Sequence, residues 1–208
     1  VWTTKLSPGT CTTITLLLKI QNLRTRTPGG FVFPHDIATD RLLLRVPVPE
    51  DAQRIFGSYT QDPKVARYLT WRPAKTLADS EHHIHDRILA WRSGNICAWS
   101  VVETERGIVI GMIELRIKGE AADVGYVIAR AEWGKGYATE ALKAVIEDGF
   151  VHPEIARLVA VCDVENAASA RVMEKAGMVQ EGILPRHMLA PNISDEPRDV
   201  FSYSITRS

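Results

Sequence analysis

The residues best placed to do chemistry are Gly134-Lys135-Gly136, in the run Val124-Gly125-Tyr126-Val127-Ile128-Ala129-Arg130-Ala131-Glu132-Trp133-Gly134-Lys135-Gly136-Tyr137-Ala138-Thr139-Glu140. Val124 to Ile128 has the composition of a strand. From Ala138 on, apolar residues recur at Ala141, Leu142, Val145 and Ile146, which is helical spacing. A glycine turn that opens a helix directly after a strand gathers free backbone N–H groups at one point. Those groups and the helix dipole favour an anion, typically a phosphate. Glycine leaves room for such a ligand to reach the backbone. The bland alternative is an ordinary strand-to-helix turn.

Two better-known phosphate loops do not fit. A P-loop needs Gly, four residues, then Gly-Lys-Ser/Thr, whereas here Lys135 lies between the glycines and Tyr137 follows Gly136. A dinucleotide fingerprint needs a small third residue where Thr139 stands, and an acidic residue ending a second strand about 20 residues on, which is not evident here.

A second segment belongs with the first. Arg157 to Cys162, RLVAVC, suits a buried strand. Asn166 then precedes a helix whose Ala168, Val172 and Ala176 share a face and which Gly177 would end. Asn166 is a good N-cap; it could also present its amide to a ligand across the sheet from the glycine turn. Together the two segments resemble the GNAT superfamily of acetyl-CoA-dependent N-acetyltransferases. The branch that acetylates N-terminal amines of ribosomal proteins is the closest in look. The family's pyrophosphate loop, Arg/Gln-x-x-Gly-x-Gly/Ala, falls on Trp133 to Ala138, with Trp133 in a departure typical of that branch. The runs DVGYVI, NAASARVMEKAGM and EGILPRHMLAPNISDEPRDVFSYSI look like the same branch, so the resemblance extends from about Thr39 to Arg207.

The resemblance implies an α/β fold: a mixed, mostly antiparallel central sheet with flanking helices and two splayed parallel strands, here 122–128 and 157–162. Acetyl-CoA would be the co-substrate, with no metal. It would be held by Val127 and Ile128 on the splayed strand, by Trp133, Gly134, Lys135, Gly136, Tyr137, Ala138 and Thr139 in the loop and helix start, and by Asn166 and Ser169. Tyr68, Trp71 and Arg72 look like the segment lining the acceptor pocket, though Trp71 could equally be core. The loop from His187 to Pro197 would cover that pocket from the other side.

Acetyl transfer needs a neutral amine, a polarised thioester carbonyl and a departing thiolate. Bringing donor and amine together supplies much of the rate, and a backbone N–H near Val127 or Ile128 could polarise the carbonyl. A protein α-amine, with pKa about 7.7–8.0, is roughly a tenth or more neutral at pH 7; a lysine or polyamine amine is neutral only about 0.04% of the time. An α-amine therefore tolerates a remote, water-mediated base. Glu114 and Asp123 are the candidates, each also readable as an exposed strand or turn carboxylate. Many enzymes of the family place a Tyr seven residues after the motif Asn. Met173 stands there and cannot donate a proton. Ser169, either a capping serine or a proton donor to the thiolate, is the substitute. Three functions stay open: acetylation of a protein N-terminus, acetylation of a small amine such as a polyamine or aminoglycoside, and non-catalytic acyl-CoA binding.

The remaining sequence sets bounds. The 208 residues suit one globular domain, residues 37–208, behind an extension of residues 1–36 that either adds a strand or stays mobile. Lys+Arg and Asp+Glu are both 25, which disfavours a nucleic-acid partner. Cys11, Cys97 and Cys162 show no CxxC, so a reducing, cytoplasmic setting is the expectation. The apolar run Ile14–Ile20 is too short to span a membrane, and the chain is expected as a monomer or homodimer. Glu81-His82-His83-Ile84-His85 lacks a metal-ligand partner set and reads as a solvated helix face. Cys162 reads as a plain buried strand cysteine. The remaining elements expected are a strand at 41–46, helices at 50–59 and 77–92, strands at 98–102 and 109–117, and two final strands near 180–189 and 199–205.

Overall fold

The computed structural model describes residues 24–26, 32–94 and 96–207; the run Ile14–Ile20 and Cys11 lie outside them. Arg24–Arg26 (β1) pairs antiparallel with Val32–Pro34 (β2). Phe33 is buried against Trp99 and His152, and the Trp99 indole N–H donates to the Pro34 carbonyl.

The main sheet has eight strands: Asp36–Ala38 (β3), Leu42–Arg45 (β4), Ile96–Glu103 (β5), Ile108–Lys118 (β6), Ala121–Ile128 (β7), Arg157–Asp163 (β8), Val179–Met188 (β9) and Arg198–Thr206 (β10). Their spatial order is β3-β4-β5-β6-β7-β8-β10-β9. All neighbours are antiparallel except β7 and β8. The hairpins β5–β6 and β6–β7 turn on Gly107 and Gly119, both at φ +64°, a conformation that disfavours side chains.

The helices are Asp51–Ile55 (α1), Pro63–Ala66 (α2), Leu77–Ser93 (α3), Tyr137–Gly149 (α4) and Ala167–Lys175 (α5). One expected helix, 50–59, is broken. After Ile55 the chain widens into a π turn over Phe56–Thr60, where Gly57 and Ser58 are poor helix formers and the Thr60 hydroxyl bonds the Ile55 carbonyl. Asp62 then caps α2 through Lys64 N, with Pro63 in the first helical position. Asp51 is buried but fully satisfied, by both Arg45 guanidinium nitrogens, the Ser100 hydroxyl and Val48 N. Along α3, Ile84 and Trp91 are buried as the periodicity predicts, while Leu89 faces solvent.

Leu142 and Val145 of α4 pack into a core shared with Leu42 and Leu44 of β4, Ile113 and Leu115 of β6 and Leu158 of β8. The glycine turn is thereby anchored to the sheet through a fully buried helix face.

Candidate active site

β7 and β8 pair over only three positions, Ala121↔Arg157, Ala122↔Leu158 and Asp123↔Val159. Past Asp123 the two strands part, although β7 runs on to Ile128 and β8 to Asp163. One edge of β7 is thus left without a sheet partner. Ala129 N donates to Ile110 O on the β6 side, and the two-residue alternation of a strand puts Val127 on that same edge. The amide of Ile128, not that of Val127, therefore faces the gap.

The glycine turn closes one side of the gap. Gly134 and Gly136 sit at φ +77° and +86°, and Gly136 is the N-cap of α4. The first helical bond runs from Glu140 N to Gly136 O. The N–H groups from Gly136 to Thr139 therefore have no partner within the helix. The Trp133 indole N–H donates to the Ile128 carbonyl, 2.8 Å away, which ties the loop to the end of the strand while half the ring stays exposed. The Lys135 ammonium turns away to Glu132, at 2.9 Å.

Glu132 is gripped from both sides. Arg106, at the β5–β6 turn, forms two parallel 3.0 Å bonds to it. The Arg106 bonds, then the Lys135 ammonium, hold the Glu132 carboxyl down from its ordinary 4.5 to about 2. A depressed carboxyl stabilises the fold above its unfolded pKa and loses that contribution as pH falls through its folded value. Thermal midpoints followed from pH 5 to pH 2 should therefore fall in wild type, and Glu132→Gln should flatten that limb. Equal slopes for both proteins would contradict this assignment.

The gap opens into a cleft of about 1400 Å³, larger than the roughly 300–1,000 Å³ typical of small-ligand pockets. Gly134, Gly136, Tyr137, Ala138 and Thr139 line it, as do Val127, Ile128, Asn166 and Ser169. Tyr68, Leu69, Thr70 and Trp71 form another wall; Trp71 is half-buried on the cleft and is not core. Arg72 is outside this wall and pairs with Asp195, at 3.6 Å. Asn192 fixes the C-terminal loop against the same wall, donating to Ala66 O (2.6 Å) and Trp71 O (2.7 Å). His187 and Met188, the last residues of β9, face the cleft just before that loop, so the expected loop from His187 begins only after Met188.

Asn166 caps α5 by accepting from Ser169 N, at 3.2 Å. The Ser169 hydroxyl lies 2.8 Å from the Tyr126 hydroxyl, which also reaches Ser169 O at 3.2 Å. Burial pushes the Tyr126 phenol well up, outweighing the opposing Ser169 bond, so Tyr126 keeps its proton at neutral pH. Met173, where many enzymes of the family carry a Tyr, is fully buried in the core. A phenol still reaches Ser169, but from β7. Sequence spacing missed Tyr126 because its pairing with Ser169 spans 43 residues of chain.

Both candidate carboxylates are engaged. Glu114 accepts from Arg87 at 3.0 Å and from Arg116 at 3.2 Å. Asp123 accepts from Arg116 at 3.1 Å and from Lys118 at 3.4 Å. The histidine run divides. His82 is exposed beside Asp86 and His85 is exposed, but His83 turns onto the cleft, which corrects the expectation of a wholly solvated face. Burial, then the Arg87 charge, lowers the His83 pKa, which favours the neutral imidazole. Cys162 is buried at the cleft wall, and burial, then Asp163, pushes its thiol up to about 11. It is a protonated thiol rather than a nucleophile. Among the described residues no group of three or more His, Cys, Asp or Glu is arranged to hold a metal, and no helix is long and apolar enough to cross a membrane.

A splayed parallel pair, an unpaired strand edge and a glycine-capped helix N-terminus in one cleft make a site for an extended, phosphate-bearing ligand. The family model "Acetyltransferase (GNAT) domain" matches residues 41–179, and the chain belongs to that family of acetyl-CoA-dependent acetyltransferases. It is 29% identical over 174 residues to the uncharacterised N-acetyltransferase YoaA of Bacillus subtilis, covering 82% of this chain and 96% of that one. A GNAT-family acetyltransferase structure from Bacillus anthracis superposes with TM-score 0.71 at 29% identity, over 82% of this chain and 98% of the other. A candidate ribosomal-protein-serine acetyltransferase from Vibrio cholerae superposes with TM-score 0.73 at 26% identity, over 83% and 97%.

Proposed function

We propose that this acetyltransferase modifies the N-terminal α-amine of a protein, of the ribosomal-protein kind, by direct attack of the amine on the thioester. The observation that carries this is the state of charge at the acceptor wall. Glu114, Asp123 and Asp163 each already hold an arginine, and Lys64 and Arg67 add positive charge to the same cleft. A polyamine needs unpaired carboxylates and would meet like charge here. A chain terminus carries one weakly basic amine and needs length, which the cleft of about 1400 Å³ supplies. The Vibrio cholerae neighbour's name supports the same acceptor class.

In this reading the Ile128 N–H polarises the thioester carbonyl. His83 and Glu114 face the incoming amine and take its proton through water, with Arg87 and Arg116 fixing the carboxylate. Asp123 orients Arg116. Ser169 protonates the departing thiolate while Tyr126 passes its proton to Ser169, and water in the open cleft restores the phenol. The loop from Trp133 to Thr139 and the Asn166 turn hold CoA.

An acceptor screen with acetyl-CoA tests the assignment. Peptides with Ser or Ala N-termini should be acetylated on the α-amine and lose activity when that amine is blocked. Turnover of spermidine or an aminoglycoside at a higher kcat/KM than any peptide would replace this acceptor, and CoA binding without acetylation of any amine would remove the catalytic reading.

A further inference from the structure

Arg41, at the start of β4, makes more contacts to the loop and to α4 than any role in the sheet requires. Its Nε and Nη2 donate to Glu140 Oε2 at 2.8 and 2.6 Å, and its backbone N donates to Glu140 Oε1 at 2.9 Å. Its Nη1 donates to the Lys135 carbonyl at 3.0 Å, and its guanidinium stacks 4.7 Å from the Tyr137 ring centroid. Thr39 adds a 2.6 Å bond to Glu140 Oε1. One side chain thus grips the loop, the first residue of α4 and a carboxylate in that helix's first turn.

The peptide unit joining Lys135 to Gly136 is planar and trans, so its C=O and N–H point in opposite directions. A guanidinium that captures the Lys135 carbonyl therefore holds the Gly136 N–H facing away from β4. Gly136 can adopt this orientation because its φ is +86°. Glu140 raises a second problem: an ionised carboxylate one turn into the helix repels the anion that the helix N-terminus attracts. Arg41 neutralises it.

We propose that Arg41 is a positioning residue for the donor: it aims the Gly136 N–H at the diphosphate of CoA and cancels the Glu140 charge beside it. The inference rests on the family's CoA donor and is independent of which amine accepts the acetyl group.

Calorimetric titration of the whole chain with CoA and with 3′-dephospho-CoA tests it, with no acceptor present. Losing a charge-assisted bond network of this kind should raise Kd about tenfold or more. For Arg41→Met that rise should be the same for both ligands, because both carry the diphosphate. Arg41→Lys keeps a cation near Glu140 but cannot span the carboxylate and the Lys135 carbonyl together. Its Kd should stay at least about fivefold above wild type by the same reasoning. A wild-type Kd in Arg41→Met overturns the proposal. So does a loss confined to CoA, which would make Arg41 a ligand of the 3′-phosphate instead. Full rescue by lysine would show that charge alone matters and that nothing is aimed.

Discussion

Gly136→Asp is expected to abolish CoA binding, with Kd rising at least about 100-fold. Two effects combine. At φ +86° a side chain costs about 1–2 kcal/mol in the left-handed region. The Cβ would also stand 3.4 Å from the Arg41 guanidinium. The larger effect is electrostatic: a carboxylate within about 4 Å of a diphosphate oxygen costs on the order of 4 kcal/mol at an effective dielectric of about 20. The fold should survive, since the turn contributes no side chain to the core, and the thermal midpoint should drop by only a few degrees. Gly134→Ala is the matched control. It sits at φ +77° with nothing within 4 Å of the added Cβ, so it meets backbone strain alone. Calorimetry with CoA, beside a thermal melt, separates the two variants. Wild-type affinity in Gly136→Asp would remove the diphosphate from this turn.

The second large effect is expected at Ser169. With a 2.8 Å bond between its hydroxyl and that of Tyr126 and a seat on the cleft, Ser169→Ala should lower kcat by about 100-fold, the low end for losing a general acid. The KM for acetyl-CoA should change little, because the loop proposed to hold the diphosphate is untouched. Tyr126→Phe leaves the serine in place without its proton supply and should lower kcat by about tenfold. Two hydroxyls acting in one relay do not contribute independently, so the double variant should resemble Ser169→Ala. A fully multiplicative double variant would mean that the two hydroxyls act apart. An unchanged kcat in Ser169→Ala would return the serine to a capping role.

The glycine turn and the Asn166 cap were legible in the sequence for a local reason. Glycine spacing, the helix that follows and the Asn166 cap all lie within a few residues of the groups they position. The π turn at Phe56–Thr60 was not legible, because it depends on Thr60 bonding back to Ile55 and to Ser80 twenty residues on. His83 was hidden for a related reason. Its neighbours His82 and His85 are exposed, and a run of polar residues does not reveal which member turns onto the sheet.

The sequence by itself determined the family, the mostly antiparallel sheet with one splayed parallel pair, and the glycine turn that opens α4. All three are carried by short motifs in a set order. Tertiary structure alone decided the partners: Tyr126 with Ser169, Arg41 with Glu140 and Lys135, Arg106 with Glu132, and Asn192 with the Trp71 wall. It also decided that Ile128 rather than Val127 faces the gap, and that Glu114 and Asp123 reach the cleft already paired with arginines. Those contacts join residues remote in sequence. They are set by strand register and by where the helices dock, which spacing along a chain does not encode.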